Sequence, residues 1–144
     1  MTARKNNNTK KQTVDRLLME LQERAKELNC LYQVEDALSA PDASVDEMMP
    51  RILEAIPPGW QYPDVCVARI AIGDKTYTTP GFVETTWVQR AEIEAGSIAV
   101  GSIEVYYTRQ MPDWDNGPFL KEEAKLIRTI ADRIGHRIMH RVEH

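Results

Sequence analysis

Apolar residues first recur at helical spacing over residues 14–38. They lie three, four or seven positions apart, at Val14, Leu17, Leu21, Leu28, Leu31 and Leu38. This spacing approaches a heptad repeat, with interruptions at Arg24 and Glu35. A helix of this length can pack against its own core or pair with a second copy of itself, and the pattern leaves both alternatives open.

A second helix is predicted after the break "SAPDAS". Ser44 precedes Glu47 by three residues, which is the spacing of a capping box. The helix should bend near Pro50, run to about Ile56 and end in "PPGWQYP". A last helix, over residues 119–142, follows from apolar positions at Phe119, Ala124, Ile127, Ile130, Ala131, Ile134, Ile138 and Val142.

Four stretches between these helices read as β-strands. Residues 65–72 alternate between the two faces of a strand, and residues 75–79, 86–95 and 98–108 follow behind short turns. The order helix, helix, four strands, helix predicts an α+β fold. We expect an antiparallel β-sheet with its N- and C-terminal helices packed on one face.

The alternation also separates the two faces of the predicted sheet. One face is aliphatic and should lie under the helices. The other collects five charged residues, Arg69, Arg90, Glu92, Glu94 and Glu104. Burying unpaired charges is costly, so we expect this face to be wet. It is either a solvated platform with cross-strand ion pairs, or a polar site where Arg69 holds an anionic ligand or a partner's carboxylate.

Composition narrows the class of protein. The 144 residues suit one domain, predicted over residues 13–144 behind a disordered polar and basic leader at 1–12. A net charge of -4 counts against nucleic acid as a partner. The sequence contains no run of about 18 apolar residues, so we expect no membrane insertion and a cytoplasmic location. Cys30 and Cys66 are expected to be buried, reduced thiols.

No catalytic set emerges from the sequence, and we predict neither an enzyme nor a cofactor. The glycines are scattered, and no nucleophile elbow is present. His136, His140 and His144 recur every four residues, a spacing that can chelate a metal. Because no further ligands complete a set, we predict no metal site, and His136 and His140 stay weak candidates. Phosphotransfer through either histidine is a less favoured alternative.

The second half of the chain resembles the closing signature of a GAF domain. The strand "VGSIEVYY" is followed by "PFLKEEAKLIRTIADRIGHRI", in which the residues expected by the pattern are Phe119, Glu122, Glu123, Leu126 and Ala131. "ELNCLYQVEDAL" and "SVDEMMPRILEAIP" resemble the opening helices of that family. The resemblance covers roughly residues 24–138, and its first part looks in particular like the short GAF modules found beside bacterial histidine kinases.

The resemblance implies small-molecule sensing, homodimerisation and relay of a signal through the terminal helices to an output domain such as a histidine kinase. The sequence departs from the family where the lid of the ligand pocket normally lies, since only "TTPGFVE" stands there. Any pocket should therefore be shallow or absent. The alternative function is a protein-interaction or structural dimerisation module that binds no small ligand.

Two groups of residues are predicted to carry this function. The expected ligand contacts are Arg69, Tyr77, Phe82, Arg90, Glu104 and Tyr106. The expected dimer contacts lie on the first and last helices, at Leu17, Leu21, Leu28, Ile134 and Ile138. Trp60 and Tyr62 are expected instead to close one end of the core.

Overall fold

The computed structural model describes the backbone of residues 2–143 and the side chains of residues 9–140. Three helices and a four-stranded antiparallel sheet confirm the predicted α+β fold. In chain order the elements are α1 (Thr2–Leu38), α2 (Val45–Gly59), β1 (Cys66–Ile72), β2 (Lys75–Thr78), β3 (Val88–Ala95), β4 (Ile98–Tyr107) and α3 (Lys121–Glu143). A short 3-10 turn, Pro63–Val65, leads into β1.

Helix α1 is longer than the apolar pattern predicts. Residues 2–12, which we expected to be a disordered leader, continue the helix in the structure. No glycine or proline interrupts α1, and its first turns include lysine, arginine and glutamine, which are good helix formers. The helix therefore reaches well beyond the residues that contact the rest of the molecule.

Helix α2 begins as predicted and ends later. Ser44 accepts a hydrogen bond from the Glu47 N–H at 3.2 Å, and the Glu47 side chain reaches back, which confirms the capping box. The helix passes Ile56 and continues through Pro57 to Gly59. Pro57 and Pro58 have no N–H to donate to the helix, which ends directly after them, and the Trp60 N–H closes the end on the carbonyl of Pro57.

The sheet has the strand order β2-β1-β4-β3. Ile70 pairs with Ile103, and Ile103 pairs with Ala91, so the predicted aliphatic residues share one face. Helix α2 packs against β1 and β2, α3 packs against β3 and β4, and α1 lies against both helices. Trp60 is fully buried, which confirms that it plugs the core, and its indole N–H donates to Gln89 Oε1 at 3.0 Å.

Helices α1 and α3 run parallel, and two ion pairs and a hydrogen bond join them along their length. Arg24 lies 3.8 Å from Glu122, and Arg133 donates to Glu35 at 3.2 Å. Arg137 donates to the carbonyl of Leu38 at 2.9 Å. Arg24 and Glu35 are the two interruptions of the heptad pattern, so both interruptions serve to attach α1 to α3.

Gly135 allows α3 to approach the end of β3. A Cβ atom at this position would lie 2.0 Å from the carbonyl oxygen of Glu94, which is backbone and has little freedom to move. The absence of a side chain at Gly135 therefore fixes the distance between helix and strand.

We expect Gly135→Ala to destabilise the protein by about 1–3 kcal/mol, because the added methyl forces α3 away from β3. The sign of the change in the free energy of unfolding is informative, because glycine to alanine in an unobstructed helix stabilises the protein by up to about 1 kcal/mol. Urea unfolding followed by circular dichroism measures the difference, with Thr129→Ala on the exposed side of α3 as the control. A Gly135→Ala protein as stable as the wild type would refute the close-packing account.

Candidate functional site

The connection between β2 and β3 forms a strap over the sheet face that the helices leave uncovered. These two strands lie at opposite edges of the sheet, so residues 79–87, here called the strap, must cross both β1 and β4. At one end Thr79 Oγ1 accepts the N–H of Ala68 at 3.0 Å. At the other end Thr85 donates its hydroxyl to the carbonyl of Tyr107 at 2.7 Å. The strap is thus anchored on both central strands.

Arg69 is the centre of a polar cluster beneath the strap. Its Nε donates to Glu104 Oε1 at 2.8 Å, across the β1–β4 ladder. Its Nη1 donates to Glu84 of the strap at 2.5 Å, and its Nη2 donates to the Tyr106 hydroxyl at 3.2 Å. All three guanidinium nitrogens are therefore engaged within the chain.

Phe82 of the strap covers this cluster. Its ring stands edge-on to Tyr106, with centroids 5.4 Å apart and planes at 82°. The guanidinium carbon of Arg69 lies 5.1 Å from the centre of the Phe82 ring, within the range of a cation–π contact. Phe82 and Glu84 of the strap therefore cover this part of the sheet face with an aromatic ring and a carboxylate. We call this set, with Arg69, Glu104 and Tyr106, the Arg69 cluster.

Electrostatics hold Glu104 in its ionised form. Burial alone would raise the pKa of its carboxyl group, but hydrogen bonds from Arg69 and Tyr106 outweigh burial and the pKa is lowered. Arg90, on β3, adds a second cation 3.4 Å away. The pKa of Arg69 is raised by its bonds to Glu84 and then to Glu104. The charges in the cluster thus stabilise one another.

Five of the six predicted ligand contacts come together in or beside this cluster, and Tyr77 is the exception. Tyr77 pairs with Ile70 in the sheet register, so its side chain lies on the helix-covered face. Its hydroxyl donates to Asp46 of α2 at 2.5 Å. Tyr77 therefore lies on the opposite face of the sheet from the other expected ligand contacts, because nearness along the chain to Phe82 does not decide the face of a strand residue.

The prediction of a wet face also needs correction. Arg90 and Glu92 are about half exposed, but Glu104 and Tyr106 are only 8% and 4% exposed. The strap and the surrounding side chains cover them. Sequence reasoning missed Glu84, although its position two residues after Phe82 places both side chains on one side of an extended segment.

A second surface lies along the side of α1 that faces away from the rest of the molecule. There Leu28 and Tyr32 are each 68% exposed, whereas Cys30 and Val34 on the opposite side are buried. The exposed stripe, which we call the α1 seam, comprises Val14, Leu17, Leu18, Leu21, Leu28 and Tyr32. Every described side chain from residue 9 to residue 22 is exposed. The three predicted dimer contacts on α1 therefore all lie on accessible surface.

A groove of about 500 Å³ extends this surface toward α3. Its apolar lining comes from Leu28, Leu31 and Leu126. The two predicted contacts on α3 do not belong to it. Ile134 is fully buried and Ile138 packs partly buried against the same core. The Ile134 side chain points into the protomer, so its prediction as a dimer contact was wrong, whereas Ile138, which is partly exposed, stays a prediction.

The histidine pair on α3 is exposed. The Nε2 atoms of His136 and His140 lie 3.0 Å apart. Within the described part of the chain, no three or more His, Cys, Asp or Glu side chains are placed to hold one metal ion. His144, the third histidine of the stripe, lies outside the described residues.

Comparison with known proteins does not assign the chain to a family. No protein-family model matches the chain, and no curated protein matches it. None of the helices formed by residues 2–143 is long and apolar enough to cross a bilayer.

We expect Arg69→Ala to destabilise the protein by about 1–3 kcal/mol near neutral pH, because it leaves the Glu104 carboxylate buried with weaker partners. Since its folded pKa is lowered, Glu104 contributes stability above its unfolded pKa and loses it as pH falls. The loss in the variant should therefore shrink toward low pH. Urea unfolding at several pH values measures both effects.

Arg90→Ala is the matched control for this experiment. The Arg90 side chain is 51% exposed, and removing such a surface partner should cost less than about 1 kcal/mol. Equal losses for the two variants would contradict the central role of Arg69.

Proposed function

We propose that this protein is a non-catalytic, GAF-like sensory or relay domain of a bacterial signal-transduction protein that dimerises through its terminal helices. The observation that supports this most is the α1 seam, an apolar stripe along a projecting helix. Monomeric domains rarely expose contiguous apolar surface of this kind. A second copy of the chain is the partner that a self-complementary heptad-like stripe fits best.

The exposed first half of α1 supports pairing on energetic grounds. Residues 9–22 bury no side chain against the body of the domain. Helical segments of about 12–15 residues are marginal in water without tertiary contacts, because nucleation is costly and few hydrogen bonds offset it. Burying Leu17 and Leu21 against a partner supplies the missing stabilisation, at about 1.5–3 kcal/mol for each buried leucine.

The arrangement of the helices suits a relay. Helix α1 projects beyond the body at the end where α3 begins, and α3 passes Leu38 toward the opposite end. Two ion pairs and one hydrogen bond to a backbone carbonyl couple the two helices between these ends. A shift of α1 caused by an input at one end would therefore move α3, and through it an attached output domain such as a histidine kinase.

The Arg69 cluster favours the second candidate, an interaction module that binds no small ligand. Glu84 and Phe82 occupy the floor on which a ligand would rest, and the three nitrogens of Arg69 already donate to the protein's own groups. An anionic ligand would have to displace Glu84 before Arg69 could bind it. The cytoplasmic location expected from the sequence fits either candidate.

Leu21→Glu is expected to dissociate the dimer. Two buried leucines are lost per dimer, which should weaken association at least about 100-fold. Light scattering at ~0.1 mM measures the mass, and the wild type should weigh twice the 16.5 kDa chain. Met19→Glu is the control, because Met19 is also exposed but lies on the other side of α1. A monomeric wild type would refute the proposal.

A thermal-shift screen of nucleotides, small acids and metal ions separates the two candidates. A ligand at 100 times its dissociation constant adds about 2.7 kcal/mol of stability, which is readily seen as a rise in the unfolding temperature. A stabilising compound would support the sensory function. No shift with any compound would favour the interaction module.

A further inference from the structure

Glu123 is a buried carboxylate at the point where α1, α3 and the sheet meet. It is 1% exposed. One carboxylate oxygen accepts the N–H of Leu120, at the start of α3, at 2.8 Å. The other accepts the N–H of Gln61, in the loop after α2, at 2.7 Å. Glu123 thus joins the beginning of α3 to the loop that leads into the sheet.

Helix α1 presents mainly acidic groups to Glu123. Glu23 and Glu27 both act on it electrostatically and disfavour its ionised form. Lys26 is the cation of this part of α1, and it already donates to Glu23 at 3.3 Å and to the carbonyl of Gln61 at 3.4 Å. Arg24, also on α1, is paired with Glu27 at 2.8 Å. Among the described residues, neither cation forms an ion pair with the Glu123 carboxylate.

The groups on the sheet side add no positive charge. Burial raises the pKa of the Cys66 thiol of β1 and of the Tyr107 hydroxyl of β4, and the charge of Glu123 raises both further. Tyr62, in the loop, packs edge-on against Tyr107 with ring centroids 5.5 Å apart. Of the four buried side-chain atoms without a hydrogen-bond partner among the described residues, three belong to neighbours of Glu123: Glu23 Oε2, Gln61 Oε1 and Tyr107 OH.

These surroundings favour the neutral form of Glu123. Burial raises the pKa of its carboxyl group to about 7, the two backbone N–H groups oppose the rise, and the neighbouring Glu23 and Glu27 add to it. The carboxyl group therefore changes charge near neutral pH, at the place where α1 leaves the body of the domain.

We propose that the buried cluster around Glu123 is a proton-binding site that controls how tightly α1 docks onto α3 and the sheet. This proposal deepens the proposed function. Its consequence for dimerisation rests on that function, because helix α1 carries the α1 seam. With the proton bound, Glu123 is neutral and its burial carries no charge penalty. With the proton released, the buried carboxylate carries a charge that burial and the neighbouring Glu23 and Glu27 disfavour, and separating α1 from α3 exposes it to water.

The direction of the pH effect follows from the raised pKa. The folded protein holds the Glu123 proton over a range, from about pH 4.5 to about pH 7, in which the unfolded or undocked chain has lost it. Docking is therefore strongest below this range and weakens as pH rises through it. Between pH 6 and pH 8 the docking equilibrium should weaken about tenfold.

Carbon-13 NMR of the glutamate carboxyl groups in the wild-type chain tests proton binding directly. One carboxyl signal, assigned by its absence in Glu123→Gln, should titrate near pH 7, more than about two units above an ordinary glutamate. Titration of every glutamate below about pH 5.5 would overturn the proposal. Titration of the wild-type signal near pH 7 supports proton binding even if the variant folds poorly.

Hydrogen exchange tests the effect on docking. After correction for intrinsic rates, amides of residues 23–30 should lose about tenfold protection between pH 6 and pH 8, and Glu123→Gln should abolish the change. Asp132→Asn, an exposed carboxylate change on the same helix, should keep the wild-type response. An unchanged pH response in Glu123→Gln would overturn the proposal. A monomeric mass in light scattering would refute the proposed function. The titration of Glu123 and the hydrogen-exchange response would still test the proton-binding site.

Discussion

The connection between the two edge strands constrains the rest of the structure. In the order β2-β1-β4-β3, the chain must pass from one edge of the sheet to the other over two strands. Only residues 79–87 are available for this crossing, so the strap lies directly on the sheet. Its own Phe82 and Glu84 then fill the space above Arg69. The part of the uncovered face over β1 and β4 is thus covered by the protein's own side chains, whereas Arg90 and Glu92 on β3 stay about half exposed.

The largest exposed apolar side chains lie mainly on helix α1. Helix α1 uses its two sides differently. One side buries Cys30 and Val34 in the core, and the other exposes the seam. The polar residues that interrupt the heptad pattern, Arg24 and Glu35, are held by α3 instead of facing a partner. An interrupted apolar repeat is thus compatible with a continuous outward seam.

The sequence predicts the fold well because each element carries its own local signal. Alternation assigned Arg69 and Glu104 to one face, and the spacing of Ser44 and Glu47 placed the start of α2. The errors arise where tertiary arrangement decides. Tyr77 follows the register of a short edge strand, and the burial of Ile134 depends on which side of α3 the sheet covers. The raised pKa of Glu123 depends on three elements that are distant in sequence.

Cysteine cross-linking along α1 tests the central claim, that two copies meet through the α1 seam. The native Cys30 and Cys66 are buried, so an added cysteine reports its own surroundings. Under mild oxidation, Leu21→Cys, on the seam, should form a disulfide-linked dimer in high yield. Met19→Cys, equally accessible but on the other side of the helix, should remain mostly monomeric. Equal cross-linking at both positions, or none at Leu21→Cys, would contradict the account.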